Sequence, residues 1–227
     1  MIKLPNPTTG FAVAIDGPGG VGKSTVAKAV AYRLGMTYID TGAMYRAVAL
    51  YNIRRGANLH DEAAIAASLP HINIALSKQH IFLNGEDITQ DIRTQAVSEG
   101  TSVIASYAPV REKLVAVQQK LAASGEVVMD GRDIASHVLP WAQVKIYLDA
   151  EVDIRAARRA ADLAAKGQPA DITKIREEII TRDNRDKTRT NSPLIQTPDA
   201  IYIDTSNMLP EEVIERIIGH IHSARGQ

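Results

Sequence analysis

An α/β fold, a five-stranded parallel sheet with helices on both faces, is predicted for this chain of 227 residues by three observations. Five short, mainly apolar segments, Phe11 to Ile15, Thr37 to Ile39, Val127 to Met129, Val144 to Leu148 and Ala200 to Ile203, read as buried parallel strands. Helical patterns separate them, and strands that alternate with helices form a doubly wound sheet. Between the first strand and the first helix stands the glycine-rich string GPGGVGKST, Gly17 to Thr25.

Each element has its own signal. After the glycine string, Val26, Ala27, Val30, Ala31 and Leu34 recur at helical spacing, and Gly35 stands where a helix would end. A second helix is expected from about Gly42 to Arg55, stopping at Gly56. Further helices are expected from Pro109 to Ser124, Val152 to Lys166, Ile172 to about Arg189, and Pro210 to Ser223. One segment departs from this rhythm. HINIALSKQHIFLNGEDIT alternates apolar and polar residues, with Asn84-Gly85 as a hairpin turn, and predicts a small antiparallel insertion between about residues 69 and 93. The chain is expected to be one domain. Its core would be built from about 10–40, 105–150 and 190–223, with an acceptor-binding region at about 41–104 and a lid at about 152–174.

Composition excludes several classes of function. The 26 basic residues balance 26 acidic ones, so there is no net field to attract a nucleic acid polymer. Without cysteine there is no disulfide framework, thiolate nucleophile or thiolate metal site. The start, MIKLPNPTTG, lacks the apolar stretch of a signal peptide, and no apolar run reaches membrane-spanning length. A monomeric cytoplasmic protein with no membrane and no nucleic acid partner is expected.

Gly17, Gly22, Lys23 and Ser24 satisfy G-x-x-x-x-G-K-[ST] between a strand and a helix, the context in which the pattern binds phosphate. The expected nucleotide loop comprises Gly17, Pro18, Gly19, Gly20, Val21, Gly22, Lys23, Ser24 and Thr25. Its N–H groups converge on phosphate oxygens and the helix N-terminus adds positive potential. Lys23 would span the β- and γ-phosphates of ATP, and the Ser24 hydroxyl would ligate Mg²⁺. Pro18 shapes the loop without donating. There is no N-K-x-D element to read guanine, the nearest string being Thr173-Lys174-Ile175-Arg176. Strand VVMD runs on into Asp130-Gly131-Arg132-Asp133 and lacks the Asp-Glu pair that would activate water. Transfer is therefore favoured over hydrolysis.

Acceptor groups are sought beyond the carboxyl ends of the strands. Three clusters fall there: Asp40-Thr41-Gly42-Ala43-Met44-Tyr45-Arg46, Asp130 to Asp133, and TRDNRDKTR, where Arg182, Asp186 and Arg189 follow i, i+4, i+7 spacing on one helix face. Bland alternatives stand beside each: Asp40 or Thr41 as a helix cap, Arg132-Asp133 as a surface turn, and the last cluster as a solvated ion-pair face. Arg46, Arg132 and Arg189 together would suit an anionic acceptor, since guanidinium forks match phosphate oxygens. Arg155, Arg158, Arg159 and Lys166 precede a Gly-Gln-Pro break and read as part of a lid or, alternatively, an ordinary charged helix and loop.

GPGGVGKST, DTGAMYR, RTQAV…TSVIASYAPVRE, DGRDI and RDNRDKTR together resemble the bacterial-type cytidylate kinases, P-loop kinases of nucleoside monophosphates, over nearly the whole chain. The resemblance implies the P-loop kinase fold and transfer of phosphate from ATP to CMP or dCMP with Mg²⁺. It implies that Ser102, Arg111 and Asp133 read the cytosine, that Arg182 and Asp186 hold the ribose, and that Arg46, Arg132 and Arg189 hold the CMP phosphate. Asp40, Thr41 and Tyr45 complete the implied CMP site. Lys23, Arg132, Arg158, Arg159, Arg182 and Arg189 form the implied catalytic set. A carboxylate suits the N4 amino group of cytosine and an arginine its ring acceptors, whereas uracil reverses both. The chain departs from the family's pattern after DGRDI, with Ala135-Ser136 for Gly-Thr and Pro140-Trp141 for Pro-Asp. Two other readings remain open at this point: a kinase of UMP, AMP or a non-nucleotide acid, and a nucleotide sensor that transfers nothing.

Overall fold

The computed structural model describes residues 10–77, 80–123, 125–165 and 167–227. Lys166 of the expected lid, Ser124 at an expected helix end and the first nine residues lie outside these. The chain divides into two compact units, Met1–Tyr38 with Ala122–Gln227, and Ile39–Leu121.

The first unit is built on a five-stranded sheet. Its strands are β1 (Ala12–Asp16), β2 (Thr37–Asp40, whose last two residues are counted with the second unit), β6 (Val127–Asp130), β7 (Val144–Asp149) and β8 (Ile201–Asp204), in the order β2-β6-β1-β7-β8. All five residues of β1 are buried, as expected for a strand covered on both faces. It pairs in parallel with β6 on one side and β7 on the other, and β7 pairs in parallel with β8. Helices α1 (Lys23–Arg33) and α8 (Pro210–Arg225) bury Val26, Val30, Val213, Ile217 and Ile221 against Val13, Ile15, Ile146 and Leu148. Each such side chain contributes roughly 1.5–3 kcal/mol when fully buried. Helices α6 (Val152–Ala165) and α7 (Ile172–Thr188) complete this unit.

The second unit holds α2 (Thr41–Arg54), α3 (Glu62–Ser68), the antiparallel strands β3 (Ile74–Ser77), β4 (His80–Leu83) and β5 (Glu86–Asp87), then α4 (Gln95–Ile104) and all but the last residue of α5 (Ala108–Ala122). Asn84 and Gly85 are both at positive φ, 52° and 88°, which is the geometry a two-residue hairpin of this twist requires. Ile81 and Leu83 of β4 are buried in one core with Met44, Val48, Ile92 and Leu114. At Gly100 of α4 an added Cβ would run into Leu59 and approach Ile53 and Ala49, so the backbone passes close to its neighbours there.

The strands and most helices lie where the sequence puts them. Two helices went unforeseen, α3 and α4, because each is short and capped by a side chain rather than marked by glycine: Asp61 accepts from Ala64 N, and Thr94 from Val97 N. A five-residue π-helical turn, Ile134–Val138, was not foreseen either. Helix α7 ends at Thr188, so Arg189 is its extended C-cap (φ −62°, ψ 141°) and does not continue the helix face of Arg182 and Asp186.

Candidate active site

In the first unit the glycine string forms a tight loop between β1 and α1. Gly17 is at φ 146°, and a Cβ there would collide with Leu148 O of the adjacent strand. Gly22, at φ 88°, is the left-handed residue that opens α1, where its carbonyl accepts from Val26 N at 3.0 Å. Lys23 is buried and turns back into the loop, its Nζ donating to Pro18 O at 2.5 Å. Burial, followed by the nearby Arg132 cation, pushes the Lys23 amine well below its usual range, against the opposing pull of Asp130 and Asp16. An anion in the loop would restore the charged form.

Ser24 donates from Oγ to Asp130 Oδ2 at 2.8 Å, and Asp130 Oδ1 accepts from Tyr38 Oη at 2.8 Å. With its proton committed, the serine oxygen keeps its lone pairs for a cation. Among the described residues no group of three acidic or histidine side chains could hold a metal ion. A hard oxygen ligand beside one carboxylate fits Mg²⁺, which keeps water and takes phosphate oxygens in place of a full protein cage.

Next to the loop, beyond the end of neighbouring β6, lies a cluster of charge. A Cβ on Gly19 would sit 3.7 Å from Arg132 Nη2, so Arg132 borders the glycine loop directly. Arg132 Nε donates to Asp186 Oδ2 at 2.9 Å. Arg189 lies 3.7 Å from Asp133 Oδ1 and 4.0 Å from Asp186 Oδ1, and its Nε donates to Ser192 O at 2.7 Å. Burial would raise the Asp186 carboxyl, but Arg132, Arg182 and Arg189 outweigh it and hold the group below the usual carboxylate range. The structure thus brings Arg132, Asp133, Arg182, Asp186 and Arg189 together around one buried carboxylate. These are not the solvated ion pairs that a charged helix face would give.

Arg155 and Asp183 form a second buried pair, Nη1 to Oδ2 at 2.6 Å. Arg155 also donates to Gly19 O at 3.1 Å and Ala150 O at 2.9 Å, joining the loop to α7. Of the two expected lid arginines, Arg158 donates to Thr205 O at 2.6 Å and to Thr205 Oγ1 at 3.2 Å, while Arg159 is exposed.

In the second unit Asp40 caps α2, Oδ1 accepting from Ala43 N at 2.8 Å. Thr41 and Tyr45 are buried and Arg46 half-buried, its guanidinium lying over Gly42. Arg111 is buried, not a surface residue of α5 as its helical setting alone suggests. Its guanidinium stands 5.5 Å from the centre of the Tyr45 ring and donates to Ala105 O at 3.0 Å. Ser102, on α4, is half-buried.

Asp16 is the residue of this region that sequence reasoning does not name. Asp130 falls within the expected cluster after the third strand and Asp183 within TRDNRDKTR, but neither is assigned a role there. Arg155 is expected among the lid charges, and the structure buries it beside Ala156.

The profile of the family described as cytidylate kinase matches residues 13–223. Among curated relatives, cytidylate kinase of Geobacillus kaustophilus is 47% identical over 220 residues, covering 95% of this chain and 98% of that one. Cytidylate kinase of Lysinibacillus sphaericus is 48% identical over 210 residues, covering 91% and 94%. The fold is shared with a crystal structure of an uncharacterized protein from Eubacterium ventriosum, at a TM-score of 0.52 and 12% identity over 95% of this chain and 99% of that one. Matched along nearly its whole length, the chain belongs to the cytidylate kinase family.

Proposed function

We propose that the protein transfers the γ-phosphoryl group of ATP to CMP or dCMP, giving ADP and the corresponding diphosphate. The observation that carries this reading, beside family membership, is the adjacency of Arg132 to the glycine loop, with Asp133, Arg182, Asp186 and Arg189 gathered behind it. A donor loop and a nest of guanidinium groups on neighbouring strand ends suit two phosphates that must meet.

Residues Gly17 to Thr25 are proposed to hold the ATP phosphates, with Lys23 leaving Pro18 O to reach them. Ser24 and the phosphate oxygens would hold Mg²⁺, which when bound screens the charge of the β- and γ-phosphates. Arg46, Arg132 and Arg189 take the CMP phosphate, Arg182 and Asp186 the ribose, and Ser102, Arg111 and Asp133 the cytosine; Asp40, Thr41 and Tyr45 line the acceptor pocket. Arg158 and Arg159 steady the donor phosphates, Arg158 by exchanging Thr205 for phosphate. The acceptor oxygen is already anionic near neutral pH, so no general base is needed, and positioning and charge neutralisation carry the rate. We further propose a monomer acting in the cytoplasm without nucleic acid or membrane partners. In support, no helix among the described residues is long and apolar enough to cross a membrane.

An assay of ADP release across CMP, dCMP, UMP, AMP and shikimate tests the reading. CMP and dCMP are expected to be the preferred acceptors; preference for any of the other three, or ATP binding without transfer, would overturn it.

A further inference from the structure

Asp16, the last residue of β1, is 2% exposed and points a carboxylate into the protein beside a loop that is built to hold anions. That position is electrostatically awkward for phosphate binding, and the side chain is committed elsewhere. Oδ1 accepts from Ile134 N at 2.9 Å and Oδ2 from Ala135 N at 2.7 Å. Both donors follow directly on Arg132-Asp133. On the other side of that dipeptide, Gly131 N donates to Ile15 O at 3.0 Å. The backbone carrying Arg132 and Asp133 is thus fastened to the end of β1 before and after, and Asp133 O in turn accepts from His137 N and Val138 N at 2.9 and 3.2 Å to close the π-helical turn.

We propose that Asp16 is a positioning residue for acceptor recognition: by gripping the Ile134 and Ala135 amides it fixes the direction in which Asp133 and Arg132 meet the nucleotide. The inference rests on the reading that these two side chains contact CMP. Two side-chain oxygens are required, because each of the two amides needs its own acceptor. An asparagine would set an N–H against one of the two amides, leaving a buried donor unpaired.

Steady-state kinetics of the Asp16→Asn protein, set beside Asp133→Ala, test this. In Asp16→Asn the KM for CMP is expected to rise about tenfold, with the CMP/UMP preference reduced and the KM for ATP changed by less than about twofold. A loss confined to kcat, or to the KM for ATP, would make Asp16 a fold or donor-loop residue and overturn the inference. An unchanged KM for CMP would do the same where Asp133→Ala raises it, leaving the acceptor reading intact. No effect of Asp133→Ala on the KM for CMP or on base preference would remove the acceptor reading and this inference with it. Amide hydrogen exchange on the wild-type protein gives a second measurement that needs no variant. Ile134 and Ala135 are expected to be protected like the β6 amides, and exchange at the rate of open backbone would overturn the proposal.

Discussion

The loop after β1 and the turn after β6 leave neighbouring strands of one sheet at the same edge, yet they are held in opposite ways. The glycine loop is shaped chiefly by backbone conformation: Gly17, Gly20 and Gly22 take positive φ of 146°, 81° and 88°, and its lysine bonds to the loop itself, with Arg155 adding a bond from outside to Gly19 O. The turn from Gly131 to Val138 has no residue at positive φ and, beside its own bonds to Asp133 O, depends on partners from outside, Ile15 O and the Asp16 carboxylate. A loop of the first kind writes its geometry into its own residues. One of the second kind writes part of it into a residue more than a hundred positions away.

The contrast can be broken or sharpened by substitution. The largest effect is expected from Lys23→Ala, which should lower turnover about a thousandfold, roughly 4 kcal/mol of transition-state stabilisation, with the far-UV spectrum unchanged. Full activity in that protein would end the reading of the loop as a donor site. Gly17→Ala should be the costliest change to the loop's own fold, since it combines backbone strain with collision against Leu148 O; a loss of ~3 kcal/mol or more, seen as a melting temperature lower by about 10 °C, is expected.

For the partner-held turn, pH is the probe. Burial pushes the Asp16 carboxyl up from an ordinary value of 3.8 to about 7, with Asp133 adding to the rise and the Ala135 and Ile134 bonds and Lys23 opposing it. The folded protein therefore keeps a proton that the unfolded chain has lost. The resulting stability is fully present below 3.8 and is lost as pH rises through about 7. Relative to Asp16→Asn, the wild type should lose on the order of 4 kcal/mol across that window, read from melting temperatures of both proteins at each pH. A constant difference between the two would place the Asp16 titration outside the window. Asp133→Ala is expected to reduce the preference for CMP over UMP by about 10- to 100-fold, or ~1–3 kcal/mol, and an unchanged ratio would take Asp133 out of base reading. The smallest effect belongs to Gly22→Ala. Nothing lies within 4 Å of the added Cβ, so only the φ of 88° is strained, at about 1 kcal/mol. A loss as large as that of Gly17→Ala would mean that steric closeness is not what separates the two glycines.

The same distinction explains what the sequence made legible. The five strands could be read because each is a short, mainly apolar run between helical patterns, and α1 and α2 because they end at Gly35 and Gly56, both at positive φ. The phosphate loop was legible from its glycines and its Lys-Ser pair. Helices α3 and α4 were not, since Asp61 and Thr94 are as common in turns as at caps. The buried setting of Arg111 could not be inferred from α5 alone, because the Tyr45 ring that it faces lies 66 residues earlier in sequence. Asp16 reads as the polar end of a strand until Ile134 and Ala135 are seen to donate to it. For Arg111 and Asp16 the missing information is a long-range partner, which no local spacing encodes; for α3 and α4 the signal is local but shared with turns.

The close passage at Gly100 bears on how this unit can vary. Ser102 lies two residues further along the same helix. An alanine at 100 would meet the terminal Cδ1 of Leu59, the far end of a half-buried side chain, so a turn of that leucine is the inexpensive way to admit it. Shortening Leu59 in the same protein should remove even that cost and leave the helix, with its serine, where it is.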